Sequence, residues 1–174
     1  MVESAQITEP KFHDLDKTSF EPIKDKLQNT LFQKNRARFF KLFKEKVTVS
    51  DENKCVALFR GASEVPLYSS DVCYPEYQEA FFYYLFGVID MDCYGFIDFN
   101  KEKVIVFAPL LSNLYKIWMT VSTMEEYSAK YDLEFRNVSE LQEFMATECP
   151  SATTTVYVNQ GVNSDSGLVT LIPD

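Results

Sequence analysis

Residues 93–108 read Cys93-Tyr94-Gly95-Phe96-Ile97-Asp98-Phe99, then Asn100-Lys101-Glu102-Lys103, then Val104-Ile105-Val106-Phe107-Ala108. Two runs of aromatic and β-branched residues flank four polar ones. That is the pattern of a strand, a tight turn and a second strand, a β-hairpin. Pro109 has no amide hydrogen for a ladder, so the second strand ends there. Upstream, Cys55-Val56-Ala57-Leu58-Phe59 stops at Arg60-Gly61 and reads as another buried strand. Residues 65–73 read as a further irregular strand or a loop. Residues 74–85 are aromatic, and their pattern fits a helix or a strand.

Helical signals lie on either side of these strands. Over residues 28–46, Phe32, Asn35, Phe39 and Phe43 recur three or four apart, and Leu31 and Leu42 are expected to widen the stripe. Lys34, Arg38, Lys41 and Lys44 fall on the other face, which reads as a solvated surface or as a site for an anion. Thr123 with Glu126 forms a capping box, and Asn137 with Glu140 a looser one. Leu141, Phe144 and Met145 give the second of these helices its buried stripe. Residues 151–158 are rich in β-branched side chains and read as a strand. Helices and strands intermix, so the fold class is α/β.

The whole chain has 174 residues, the size of one domain of roughly 100–200 residues. Such a chain can bury about 70% of its unfolded surface and folds without staples. Fifteen Phe and ten Tyr imply a dense core with aromatic area left over for an interface. Seventeen basic against 26 acidic residues give a net charge of -9, which argues against nucleic acid and anionic membrane as partners. No apolar run approaches the ~20 residues of a membrane span. The first twenty residues hold no apolar signal core. Cys55, Cys73, Cys93 and Cys149 form no CxxC pair, and reduced thiols in the cytoplasm are the simplest reading.

Little catalytic chemistry is on offer. His13 is the one histidine, so an HExxH helix or a His-rich metal centre is excluded. Five glycines form neither GxGxxG nor GxxxxGK[ST]. Asp90, Asp92 and Asp98 cluster near the hairpin as a conceivable cation site, but read more simply as loop and turn residues. In Gly161-Val162-Asn163-Ser164-Asp165-Ser166-Gly167, Ser164 or Ser166 would need a base to act as a nucleophile, and none adjoins them. Asn163, Asp165 and the glycines read instead as a turn closing the sheet. Trp118, the one tryptophan, reads as core or as an interface residue.

Several segments, taken in order, resemble the prolidase (Xaa-Pro dipeptidase) family, in its eukaryotic type more than aminopeptidase P or creatinase. Residues 78–88, QEAFFYYLFGV, look like the family's RQ[ED]SxFxxxxG. Residues 92–98, DCYGFID, resemble its GCYGVID. Phe107-Ala108-Pro109-Leu110-Leu111 followed by Trp118-Met119 resembles FVPRLP…WMG. Residues 161–167 are close to GVNTDSG, and residues 31–36 resemble the ALNR-type opening of its first long helix. Tyr77 stands where the family usually has Arg, and the residues around Leu111 depart from RLP.

The resemblance implies a creatinase-type N-terminal domain over residues 20–174, after a flexible leader at 1–19. Its fold would be a ribonuclease-H-like mixed sheet of about six strands with flanking helices. It implies a downstream catalytic domain of the pita-bread type, absent from this chain. There two Asp, one His and two Glu hold two divalent metals, usually manganese. It also implies a non-catalytic part in a homodimer that hydrolyses Xaa-Pro dipeptides, with Trp118 matching the Trp that reaches the partner subunit's substrate pocket. No catalytic or metal-ligating residue carries over. The competing readings are a protein-binding module of the same fold, as in histone chaperones, and the N-terminal domain of an aminopeptidase P.

Overall fold

A computed structural model describes residues 17–50, 52–75, 77–170 and 172–173, with side chains from residue 27 onward. The elements in chain order are α1 (Lys17–Lys46), β1 (Lys54–Arg60), α2 (Ala80–Phe86), β2 (Tyr94–Asp98), β3 (Lys103–Ala108), α3 (Met124–Tyr131), β4 (Glu134–Asn137), α4 (Leu141–Glu148) and β5 (Thr154–Val158). Short 3₁₀ helices occupy Asn113–Ile117 and Val138–Glu140. The expected leader falls largely on residues 1–16, which lie outside the described residues, and the helix over 28–46 extends back to Lys17.

The hairpin forms as expected. β2 and β3 pair antiparallel with Tyr94 opposite Phe107 and Asp98 opposite Lys103. Asp98 Oδ1 accepts the amides of Asn100 and Lys101, both at 3.0 Å, which fixes the turn. Asn100 then ties the turn to the start of β1. Its Oδ1 accepts from the Cys55 amide at 2.8 Å, and its Nδ2 donates to the Ser50 carbonyl at 2.8 Å. β1 pairs antiparallel with β2 and parallel with β5, while β3 pairs parallel with β4. The mixed sheet has the order β4-β3-β2-β1-β5. It holds five strands among the described residues. Residues 65–73 add none, because this segment pairs only with itself, at Pro66 and Cys73.

Strand side chains alternate between two apolar layers. Cys55, Ala57, Phe59, Ile97, Phe99 and Val106 face α1, α2 and α3. Val56, Leu58, Phe96, Ile105 and Phe107 face α4, where Phe144 lies against Phe96 and Phe107 at ring distances of 5.0 and 5.2 Å. The inward line of α1 runs Phe32, Arg36, Phe39 and Phe43; the first two meet α2 and Gly87, the last two meet the sheet side, and Phe43 stacks on Phe99 at 3.5 Å. That line advances by four, three and four residues, the narrow stripe of a 3.6-residue period. Leu31 and Leu42 sit one residue, about 100°, off the line. They stay exposed and do not widen the stripe as expected, whereas Phe40 does pack on the core.

Lys34, Arg38 and Lys41 form the solvated face of α1, and Lys44 pairs with Glu102. The Thr123–Glu126 capping box is complete and opens α3. Asn137 accepts from the Ser139 amide at 3.1 Å and so caps the 3₁₀ turn that runs into α4, with Glu140 closing no box.

The ambiguous residues 74–85 resolve into the seven-residue α2. Glu79 caps its start by accepting from the Phe82 amide at 2.7 Å. Gly87, at φ +69°, ends it and donates to the Tyr83 carbonyl at 2.9 Å. α1 supplies the rest of the termination. Asn35 Nδ2 donates to the Tyr84 carbonyl and the buried Arg36 Nη1 to the Leu85 carbonyl, both at 2.9 Å. Phe32 covers Gly87 so closely that a Cβ there would meet its ring at 2.2 Å.

Gly95 of β2 lies equally close to Phe86, with 2.2 Å between an added Cβ and that ring. Gly95→Ala is therefore expected to lower the unfolding free energy by about 1–3 kcal/mol through overpacking. Pairing it with Phe86→Leu should recover part of that loss, because the smaller side chain opens the space. Urea denaturation of the two single variants and the double variant checks this; strictly additive losses would contradict the assigned contact.

Candidate functional site

Past Pro109 the chain leaves the sheet and carries a single charge, Lys116, until after Thr123. Ser112 opens the 3₁₀ helix Asn113–Ile117, with its hydroxyl accepting from the Leu114 amide at 3.3 Å. The Tyr115 carbonyl accepts from the amides of Trp118 at 3.1 Å and Met119 at 3.0 Å, which closes the turn. Leu110, Leu114, Ile117, Trp118 and Met119 all stand exposed, Trp118 at 68%. None of them joins either core cluster. The core reading of Trp118 is thereby set aside, since its side chain lies at the surface. Its indole meets the Tyr115 ring edge to face at 5.7 Å. These five side chains form one run of exposed apolar surface along residues 110–119.

The three aspartates near the hairpin do not converge. Asp98 is buried in the turn and faces Lys54 at 3.5 Å. Asp92 takes a left-handed φ of +58°, and its amide donates to the Ala62 carbonyl at 2.8 Å. Asp90 accepts from the hydroxyls of Tyr127 at 3.2 Å and Tyr131 at 2.7 Å, which holds α3 to the segment ahead of β2. Among the described residues no three His, Cys, Asp or Glu side chains are grouped to hold a metal ion. His13 lies outside them. The described donor set therefore does not fit a two-metal centre.

Burial and the Asp90 charge oppose ionisation around this point. Burial first, then Asp90, pushes the Tyr127 hydroxyl up to about 12. Burial and the hydrogen bond to Asp90 raise Tyr131 further. Burial, then Asp90 and Asp92, lifts the Cys93 thiol to about 12. A thiol held protonated in this way is no nucleophile.

Residues 161–167 spend their polar groups on their own backbone. Asn163 Oδ1 accepts the amides of Asp165 at 3.0 Å and Ser166 at 2.9 Å, and the Ser166 hydroxyl accepts from Leu168 at 3.3 Å. The turn carries one isolated bridge, Val162 to Val169, and lies beyond β5; it does not close the sheet as expected. Gln78 opens the segment that resembles RQ[ED]SxFxxxxG, but its part in the fold was not foreseen. Its Oε1 accepts the amides of Ala62 at 2.6 Å and Glu79 at 2.9 Å, while its Nε2 donates to the Asp90 carbonyl at 2.9 Å. Gln78 also lines an open groove of about 450 Å³ with Tyr77, Tyr83, Ile89 and Met91. No local pattern announces a glutamine that braces three backbone segments. No described helix is long and apolar enough to cross a membrane.

Comparison with known proteins places these features in context. The family model described as aminopeptidase P, N-terminal domain, matches residues 32–157. Xaa-Pro dipeptidase of Mus musculus is 31% identical over 146 residues, covering 83% of this chain and 29% of the relative. Xaa-Pro dipeptidase of Pongo abelii is 29% identical over 167 residues, covering 95% of this chain and 32% of the relative. Among solved structures, zinc-substituted aminopeptidase P of Escherichia coli in complex with product superposes with a TM-score of 0.60. It is 20% identical, and the match covers 78% of this chain and 30% of that one. The chain thus spans less than a third of the length of the curated relatives it matches.

The raised ionisations predict an alkaline limit to stability. A thiol or phenol whose folded pKa exceeds its unfolded value contributes fully below the unfolded value and loses that contribution as pH climbs to the folded one. For Cys93 the window runs from 9.0 to about 12, and for Tyr127 from 10.0 to about 12. The urea midpoint should therefore be level up to pH 9 and fall above it. In Cys93→Ala the fall above pH 9 should be shallower, with the thiol of Cys149, also raised by burial, keeping part of it. A profile unchanged by that substitution would contradict the assignment to Cys93.

Proposed function

The chain belongs to the aminopeptidase P N-terminal domain family, and from that membership we propose that it is the non-catalytic N-terminal domain of a metal-dependent Xaa-Pro dipeptidase, an enzyme that hydrolyses dipeptides with C-terminal proline. The observation that carries this reading is similarity to Xaa-Pro dipeptidases along 83% to 95% of the chain. The described residues supply no metal-binding cluster. The two divalent metals, manganese in this proposal, belong to a catalytic unit outside residues 20–174. When bound there, they supply the attacking hydroxide and polarise the scissile carbonyl.

The chain's own contribution is contact. The exposed indole of Trp118 has a broad apolar face and one N–H, which suits a wall against a short substrate in the pocket of a second subunit. Such a wall limits the length of peptide admitted and keeps water from the reacting centre. The neighbouring Leu114, Ile117 and Met119 support the same segment as a dimer contact. Four free thiols, three of them buried, suit a reducing compartment such as the cytoplasm.

The test has two arms. The 174-residue chain, supplied with Gly-Pro and manganese, should show no turnover. Joined to the catalytic unit of a Xaa-Pro dipeptidase, the chain with Trp118→Ala should raise KM on the order of tenfold, as losing about 1.4 kcal/mol of contact would, with bound manganese unchanged. Turnover by the chain alone, or an unmoved KM, would sink the reading.

A further inference from the structure

We propose that Tyr115 is a positioning residue that holds the Trp118 indole in the orientation it presents to its contact. The inference rests on the proposed role of Trp118 for its consequence, while its physical content stands by itself. Trp118 is 68% exposed and lies outside both core clusters, so the core does not set its rotamer. The 3₁₀ helix does. Trp118 caps its C-terminal end, with its amide donating to the Tyr115 carbonyl at 3.1 Å, and that turn brings the two side chains together. The two rings meet at 5.7 Å and 69°, the edge-to-face arrangement that aromatic quadrupoles favour.

The backbone reinforces the pair. One carbonyl, that of Tyr115, accepts from both the Trp118 and Met119 amides, so the residue that braces the ring also fixes the direction in which the chain leaves. Ser112 anchors the other end, with its carbonyl accepting from the Tyr115 amide at 2.9 Å. An exposed side chain that must order itself on binding loses affinity; one already held does not. Tyr115 thus acts on binding through Trp118 and touches no reacting atom.

The chain has one tryptophan, so indole emission excited beyond the tyrosine absorption reports Trp118 alone. Tyr115→Ala should lower the indole anisotropy and raise its quenching by acrylamide, whereas Tyr115→Phe, which keeps the ring, should match the parent. An indole unchanged by Tyr115→Ala, or one freed as much by Tyr115→Phe, would overturn the proposal. Tyr115→Leu is the second truncation if the alanine variant loses its far-ultraviolet circular dichroism.

Joined to a dipeptidase catalytic unit, Tyr115→Ala should raise KM for Gly-Pro about two- to tenfold at constant kcat. It should add nothing in a Trp118→Ala background. A KM effect that persists without Trp118 would overturn the positioning role. If Trp118→Ala alone leaves KM unmoved while the fluorescence result holds, the positioning stands and the proposed function falls.

Discussion

The last carbonyls of α2 are capped by side chains of another helix, and much of the molecule is hung from that contact. A helix of seven residues cannot persist in water, because nucleation costs more than so few hydrogen bonds return. Its final turn would leave carbonyls without partners inside the protein. Gly87 satisfies one, Asn35 a second and Arg36 a third. The Arg36 guanidinium also places positive charge at the negative end of the helix dipole. Burial pulls its pKa down and Asp132 acts against that.

Once α2 is pinned, its neighbours have fixed seats. Phe86 presses on Gly95 and so sets the distance from α2 to β2. Just before α2, Gln78 joins the end of β1, the start of α2 and the approach to β2 through three hydrogen bonds. Asp90 passes the constraint on to α3 through two tyrosine hydroxyls. The segment carrying Trp118 leaves from β3, the strand paired with β2, so its starting point inherits this frame. The sequence segments that resemble the prolidase family at residues 31–36, 78–88 and 92–98 are the ones that touch here.

How much of this could be read in advance depends on the range of the interaction. The hairpin was legible because its signals are local: two apolar runs, a polar turn and Pro109. The box at Thr123 and Glu126 was legible for the same reason. Arg36 carries no local signal of its role, since its partner, the Leu85 carbonyl, is 49 positions away. Leu31 and Leu42 satisfy a helical stripe on paper, yet stripe width is set by what packs opposite. Asp90, Asp92 and Asp98 are neighbours in sequence, but Asp90 holds α3, the Asp92 amide joins Ala62, and Asp98 fixes the hairpin turn and faces Lys54. For Trp118, residue type alone left core and surface open; the resemblance favoured the surface, and its exposure excludes the core.

Most of the aromatic residues divide by chemistry, with Phe81 exposed and Tyr131 buried as exceptions. The five phenylalanines Phe82, Phe86, Phe96, Phe99 and Phe107 are fully buried, while Tyr68, Tyr74, Tyr77, Tyr83, Tyr84 and Tyr115 keep a polar tip at the surface. The same economy extends to charge. With a net charge of -9, two copies of the chain repel at long range. Any association between them has to be won by short-range contact. The stretch between Pro109 and Thr123, with Lys116 its one charge and its large apolar side chains outward, meets that requirement.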